Sequence, residues 1–164
     1  MHATLDALAA FPDQLAAHFA SFPDPYRHWA PACWDGVPSE PFTALEQLCH
    51  VLDVEVEGYQ RRIRRTLEED NPLLVSLDGE AMARERRYAE ADAEAVLADL
   101  RHARRETLAL IGSITPEQFR RRARFEGYGE TTLRGLVHYL CSHDQQHLAG
   151  LQWLLGKIEA RAGL

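Results

Sequence analysis

No stretch of this 164-residue chain approaches the roughly 18 consecutive apolar residues of a membrane-spanning helix, which excludes an integral helical membrane protein. The N-terminal MHATLDALAA lacks a basic start and is interrupted by Asp6, so no signal peptide is read there and a cytoplasmic location is the expectation. Cysteine is scarce. Cys33, Cys49 and Cys141 are odd in number and far apart, with no C-x-x-C pair, which argues against a disulfide framework and a thiolate zinc knuckle. Positive charge is also short: 18 Lys and Arg against 25 Asp and Glu leave a formal charge of -7, the wrong sign for a general binder of nucleic acid or anionic membranes. Internal repeats and low-complexity tracts are absent.

What is present suffices for one core. Apolar residues make up 46% and charged residues 26%, a balance typical of a single globular domain, here 1–164. Helical patterns alternate with clusters of Pro, Gly and Asp. Phe11-Pro12-Asp13-Gln14 predicts a helix start with Pro at the first helical position, followed by Leu15, Phe19 and Phe22, after a short turn carrying Leu5 and Leu8. Five prolines, at 23, 25, 31, 38 and 41, make 21–42 a long irregular connection.

Thr43-Ala44-Leu45-Glu46 fits a capping box and opens a second helix expected to reach about Glu69. Its apolar stripe is Leu45, Leu48, Cys49, Leu52, Val56, Tyr59 and Ile63. A connection from Asp70 to Ala91 holds a helical turn in EAMARERRY. The third helix is expected from Asp92 to Gly112, burying Val96, Leu97, Leu100, Leu108 and Ile111. A capped turn at 115–118 precedes a last helix that starts at Thr131 or Thr132 and buries Leu133, Leu136, Val137, Leu140, Leu148, Leu151, Leu155 and Ile158. No segment sustains strand alternation, so the reading is all-α, a four-helix bundle with long connections.

His143 and His147 lie four apart on the last helix, a spacing that places two imidazoles within reach of one metal. At ~100° per residue, His147 falls about 40°, His143 about 80° and Asp144 about 20° from the centre of the apolar stripe. All three therefore face the bundle interior or its margin, and a carboxylate there needs a partner. A catalytic zinc-like centre wants a third protein ligand. His50, on the second helix with Asp53 three residues on, is the candidate, although it lies about 140° from the Leu45 stripe. The competing reading is a pair of core histidines satisfied by Asp144.

These residues resemble the DinB-like, YfiT-type family of metal-dependent bundles. The resemblance runs from about Phe11 to Leu155 and is carried by RHWAPACWDGVPSEPFTALEQLCHVLDVEVEGY, LDGEAMARERRYAEAD and TTLRGLVHYLCSHDQQHLAGLQWL. The family's H-x-x-D falls on His50 and Asp53, and its H-x-x-x-H on His143 and His147. The resemblance implies an up-down-down-up bundle, a divalent metal (Zn, Ni, Fe or Mn) held by His50, His143 and His147, and a homodimer. It also implies a metal-dependent S-transferase or isomerase using a low-molecular-weight thiol of the bacillithiol or mycothiol type. Asp53 and Asp144 are then candidates to orient ligand rings. The alternative is a noncatalytic, stress-associated metal-binding dimer.

Other motifs carry less. His143-Asp144-Gln145-Gln146-His147 lacks the glutamate base of a zincin helix. Asp99-x-x-His102 lies on a polar face and does not complete a di-metal site. The cluster RRIRR at 61–65 reads as a solvated helix face, with Glu57, Glu68 and Glu69 one turn away. RRRAR at 120–124 has no acidic escort, which leaves a role at an anionic substrate or a dimer edge. Cys49 and Cys141 read as core filling, and Trp29, Trp34 and Tyr128 as packing.

Overall fold

The computed structural model describes residues 1–162. Its four helical rods are α1 (His2–Ala20), α2 (Ala44–Asp53) continuing into α3 (Arg61–Glu68), α5 (Ala93–Gly112) and α6 (Leu133–Ala162), with a short α4 (Gly79–Glu85) in the connection between α3 and α5. A π-helical segment, Val54–Gln60, joins α2 to α3 without a break in the rod. Among the described residues no helix is long and apolar enough to cross a membrane.

Side-chain bonds between rods fix their directions. Arg104 of α5 reaches the Leu8 carbonyl of α1 and Arg101 reaches Asp13, so α1 and α5 are antiparallel. Thr4 meets His138 and His18 meets Gln152, so α1 and α6 are parallel. Glu55 meets Arg104 while Gln60 meets Thr107, which makes α2–α3 parallel to α5. Gln47 touches His147 and Tyr59 lies beside His143, which makes α2–α3 antiparallel to α6. The result is the up-down-down-up bundle, with the long 69–92 connection carrying the chain back between its two parallel middle rods.

The core divides in two. One cluster packs Phe11, Leu15, Leu48, Leu100 and Leu151, and the other Leu8, Ile63, Ile111, Leu136 and Leu140. Each such side chain contributes roughly 1.5–3 kcal/mol on burial. On the last three rods the clusters meet where buried polar residues stand: His50 and Glu55, Arg104, and Asp144 and His147.

Four local expectations change. Pro12 lies inside α1, which begins ten residues earlier, at His2; Leu5 and Leu8 belong to that helix and not to a separate turn. The stripe of the second rod slips at the π segment, whose i→i+5 bonding winds more residues per turn than an α-helix. Val56 is therefore left 38% exposed while Glu55 is fully buried. The chain also forms a small sheet in the order β1-β2-β3. β1 (Leu73–Leu74) runs parallel to β2 (Arg122–Phe125), which pairs antiparallel with β3 (Gly129–Thr132). Strands this short offer too few alternations for a sequence pattern to register. Finally, RRRAR serves the fold: Arg121 donates to the Thr66 and Glu69 carbonyls at 2.6 Å each, closing the end of α3, and Arg124 pairs with Glu130 across the hairpin.

Candidate metal centre

The capping box at the start of α2 forms as the sequence predicts. Thr43 Oγ1 accepts from the Glu46 amide at 3.4 Å, and Glu46 Oε2 accepts from the Thr43 amide at 2.9 Å. This fixes the direction in which α2 leaves the 21–43 connection. It carries His50 into the bundle on one side and leaves Glu40 just ahead of the helix on the other.

His50, His143 and His147 come together. The Nε2 atoms of His143 and His147 are 3.2 Å apart, and those of His143 and His50 are 3.4 Å apart. Glu40 joins them, with Oε1 3.6 Å from His50 Nε2 and Oε2 3.2 Å from His147 Nε2. One donor atom from each of the four residues lies within 4.8 Å of all the others. Sequence reasoning missed Glu40, because it sits in the proline-rich connection, where no periodicity marks it.

These separations suit a cation. Two ligands on a tetrahedral ion with bonds of about 2.0–2.1 Å stand about 3.3 Å apart. Three ring nitrogens converging beside one carboxylate form a donor set that a single cation can share. The Nδ1 atoms of His50 and His143 and the Oε2 of Glu40 are buried without a hydrogen bond. His147 is different: its Nδ1 meets Gln47 Oε1 at 2.5 Å. An amide oxygen only accepts, so Nδ1 carries the hydrogen and the Nε2 lone pair faces the cluster.

Gln47 has a second task. Its Nε2 donates to Ser39 Oγ at 3.0 Å and to the Phe42 carbonyl at 3.4 Å, so the same side chain fastens the segment bearing Glu40. Gly150 lets this segment lie against α6, since a Cβ there would stand 3.0 Å from Ser39 Cβ and 2.8 Å from Gln47 Nε2. His50 is packed between Phe42, with ring centroids 5.0 Å apart, and Gly79 at the start of α4, where a Cβ would come within 2.8 Å of His50 Cε1.

Charge follows geometry. Burial, reinforced by its histidine neighbours, holds His143 well below 6.5. Burial also lowers His147, against the pull of Glu40. For Glu40 burial acts upward, yet its close pairing with His147 and His50 prevails and keeps the carboxyl well below the usual range. His143 and His147 are thus held toward the neutral form a metal requires.

Asp53 and Asp144 do not touch the histidines. Asp53 Oδ1 accepts from Arg86 at 2.7 Å, and its other oxygen accepts from the Tyr88 hydroxyl. Asp144 is fully enclosed, as its place on the stripe predicts, but its partner is Arg104: Nη1 to Oδ2 is 2.7 Å and Nη2 to Oδ1 is 3.1 Å. Cys49 is buried and Cys141 half-buried, and both are free thiols. Burial pushes the Cys49 thiol up to about 12, so it carries no thiolate at neutral pH.

A cleft of about 100 Å³ opens beside the cluster. Its lining includes Glu40, His50 and His143 together with Tyr59, Arg62 and Phe125.

A sequence profile of the DinB superfamily matches residues 7–151. Among solved structures the chain is similar to YfiT from Bacillus subtilis, described as a probable metal-dependent hydrolase with an unusual four-helix bundle topology. The TM-score is 0.83 at 19% identity, over 96% of this chain and 87% of that one. No curated protein matches.

Proposed function

This chain belongs to the DinB superfamily, and on that premise we propose that it is a divalent-metal-dependent enzyme whose centre is formed by His50, His143 and His147. The observation that carries the reading is the convergence of the Nε2 atoms at 3.2–3.4 Å. Bound there, a dication such as zinc, nickel, iron or manganese supplies a water or thiol acidic enough to react as an anion at neutral pH.

The chain's own residues do the rest. Gln47 fixes the tautomer of His147, burial keeps His143 neutral, and Gly79 and Phe42 wedge His50. Glu40 lines the cleft beside His50 and His143 and adds a negative charge next to the histidines. With a low-molecular-weight thiol as nucleophile the activity is S-transfer or isomerisation, the reading the family resemblance supports. A homodimer belongs to the same reading.

One observation favours a noncatalytic metal-binding bundle instead: Glu40 is near enough to serve as a fourth ligand and close the site. Elemental analysis of tag-free protein, beside His50→Ala and His147→Ala, tests the centre itself. We expect about one divalent metal per chain, lost in both variants while helical circular dichroism persists. Metal-free parent protein after incubation with zinc, nickel or manganese overturns the reading. A screen of thiols with electrophiles on the loaded protein then separates enzyme from metal store.

A further inference from the structure

Two arginines among the described residues are almost wholly buried, and the chain treats them differently. Arg104, 1% exposed, is bonded to two carboxylates. Arg62, 7% exposed, has none. Its Nη2 donates to the Val75 carbonyl at 3.0 Å, and its Nε is buried without a partner. A buried cation left without a counter-charge is costly to the fold.

The position is nevertheless built. The guanidinium lies 4.5 Å from the centre of the Phe125 ring and 5.2 Å from that of Tyr59. Gly58, on the turn before it, leaves the room it needs, since a Cβ there would stand 2.9 Å from Nη1. The π segment that ends at Gln60 turns Arg62 inward. Its neighbour Arg61 stays exposed beside Glu57, and Arg65 bonds Glu69 on the rod's outer side. Of the cluster RRIRR, therefore, only part is a solvated face, and Arg62 departs from that expectation.

Arg62 lines the same cleft as His50 and His143. A guanidinium without a carboxylate partner beside an electropositive centre has one natural complement, because a planar carboxylate matches its fork of N–H donors. We infer that Arg62 is the anion-recognition residue of this site, and that the substrate is a small molecule whose carboxylate sits on Arg62 while its reacting atom faces the histidines. The rings of Phe125 and Tyr128, stacked with centroids 4.6 Å apart, give that molecule an apolar wall. This inference rests on the histidines being the reactive centre.

Benzoate and its neutral counterpart benzamide are the probes, titrated calorimetrically into metal-loaded protein and into the same protein stripped of metal. We expect saturable binding of benzoate in both forms, weaker binding of benzamide, and a loss of about tenfold or more in Arg62→Met. Arg62→Lys, which keeps the charge but not the fork, is expected to fall between. Metal content and circular dichroism confirm that each variant is folded and loaded. If Arg62→Met does not fold, the benzoate–benzamide difference in the parent and the Arg62→Lys value decide. Equal binding of the two probes, unchanged affinity in Arg62→Met, or no saturable benzoate binding at millimolar concentration overturns the assignment. Failure of the metal centre shows separately as absent metal in the parent, while benzoate binding to the stripped protein is read on its own.

Discussion

The Arg104 guanidinium donates to the Leu8 carbonyl at 2.8 Å, the carbonyl that Pro12, four residues on and without an N–H, leaves unpaired inside α1. Proline in a helix interior ordinarily costs about 3 kcal/mol because it removes one bond and crowds that carbonyl. Here the lost bond is replaced from α5, and the same guanidinium binds Glu55 at 2.7–2.9 Å and Asp144 at 2.7–3.1 Å. One residue thus joins α1, the π segment, α5 and α6 at the level of the histidines.

Arg104→Met removes the shared donor and strands two enclosed carboxylates and a carbonyl. Truncating one partner of a buried ion pair typically costs about 3–5 kcal/mol, and that loss is expected in urea unfolding monitored by circular dichroism. Adding Glu55→Gln and Asp144→Asn to the same chain is expected to recover part of it, since no unpaired charge is then buried. An Arg104→Met protein as stable as the parent contradicts this account.

Asp144 gives a pH dependence of defined sign. Burial pushes its carboxyl from 3.8 up to about 7, against the opposing effect of Arg104. Between those values the folded chain holds a proton that the unfolded chain has released. Its contribution to stability is therefore complete below the lower value and is lost as pH rises through the upper one. The Asn side chain of Asp144→Asn does not titrate. In metal-stripped protein the stability of this variant relative to the parent is expected to grow between about pH 4 and about pH 7. A constant difference in urea midpoint across that range counts against a raised Asp144.

Gln47 is expected to control metal affinity without touching the metal. Gln47→Leu removes the acceptor at His147 Nδ1 and both bonds to the segment that carries Glu40. Loss of such an outer partner typically weakens metal binding about 10–100-fold. Competition with a chromophoric chelator measures it, and Gln47→Glu, which keeps an acceptor at the same atom, is expected to lose less. Parent-like affinity in Gln47→Leu shows that the His147 tautomer is held by something else.

Much of the architecture was legible because it is local. The Thr43–Glu46 cap, the apolar stripes of the third and last helices and the i,i+4 spacing of His143 and His147 are all set within a few residues. Helical geometry converts such spacing directly into a face. The enclosure of Asp144 followed from its phase on that face.

The partners did not follow, because nothing local encodes them. His50 and His143 meet across 93 positions, and Gln47 and His147 across 100. Glu40 acts from an aperiodic connection. The π segment shifts the phase of the second rod, so a strict α-helical count left Glu55 outside the core stripe and put Arg62 on the solvated face. By itself the sequence determined the helices and which residues were chemically able to form a site. The tertiary structure alone decided that Arg104 answers both Pro12 and Asp144, that Gln47 orients His147 and that Arg62 lines the cleft without a counter-ion. The physical reason is that a buried polar group is satisfied by whatever the packing of distant elements brings within bonding distance.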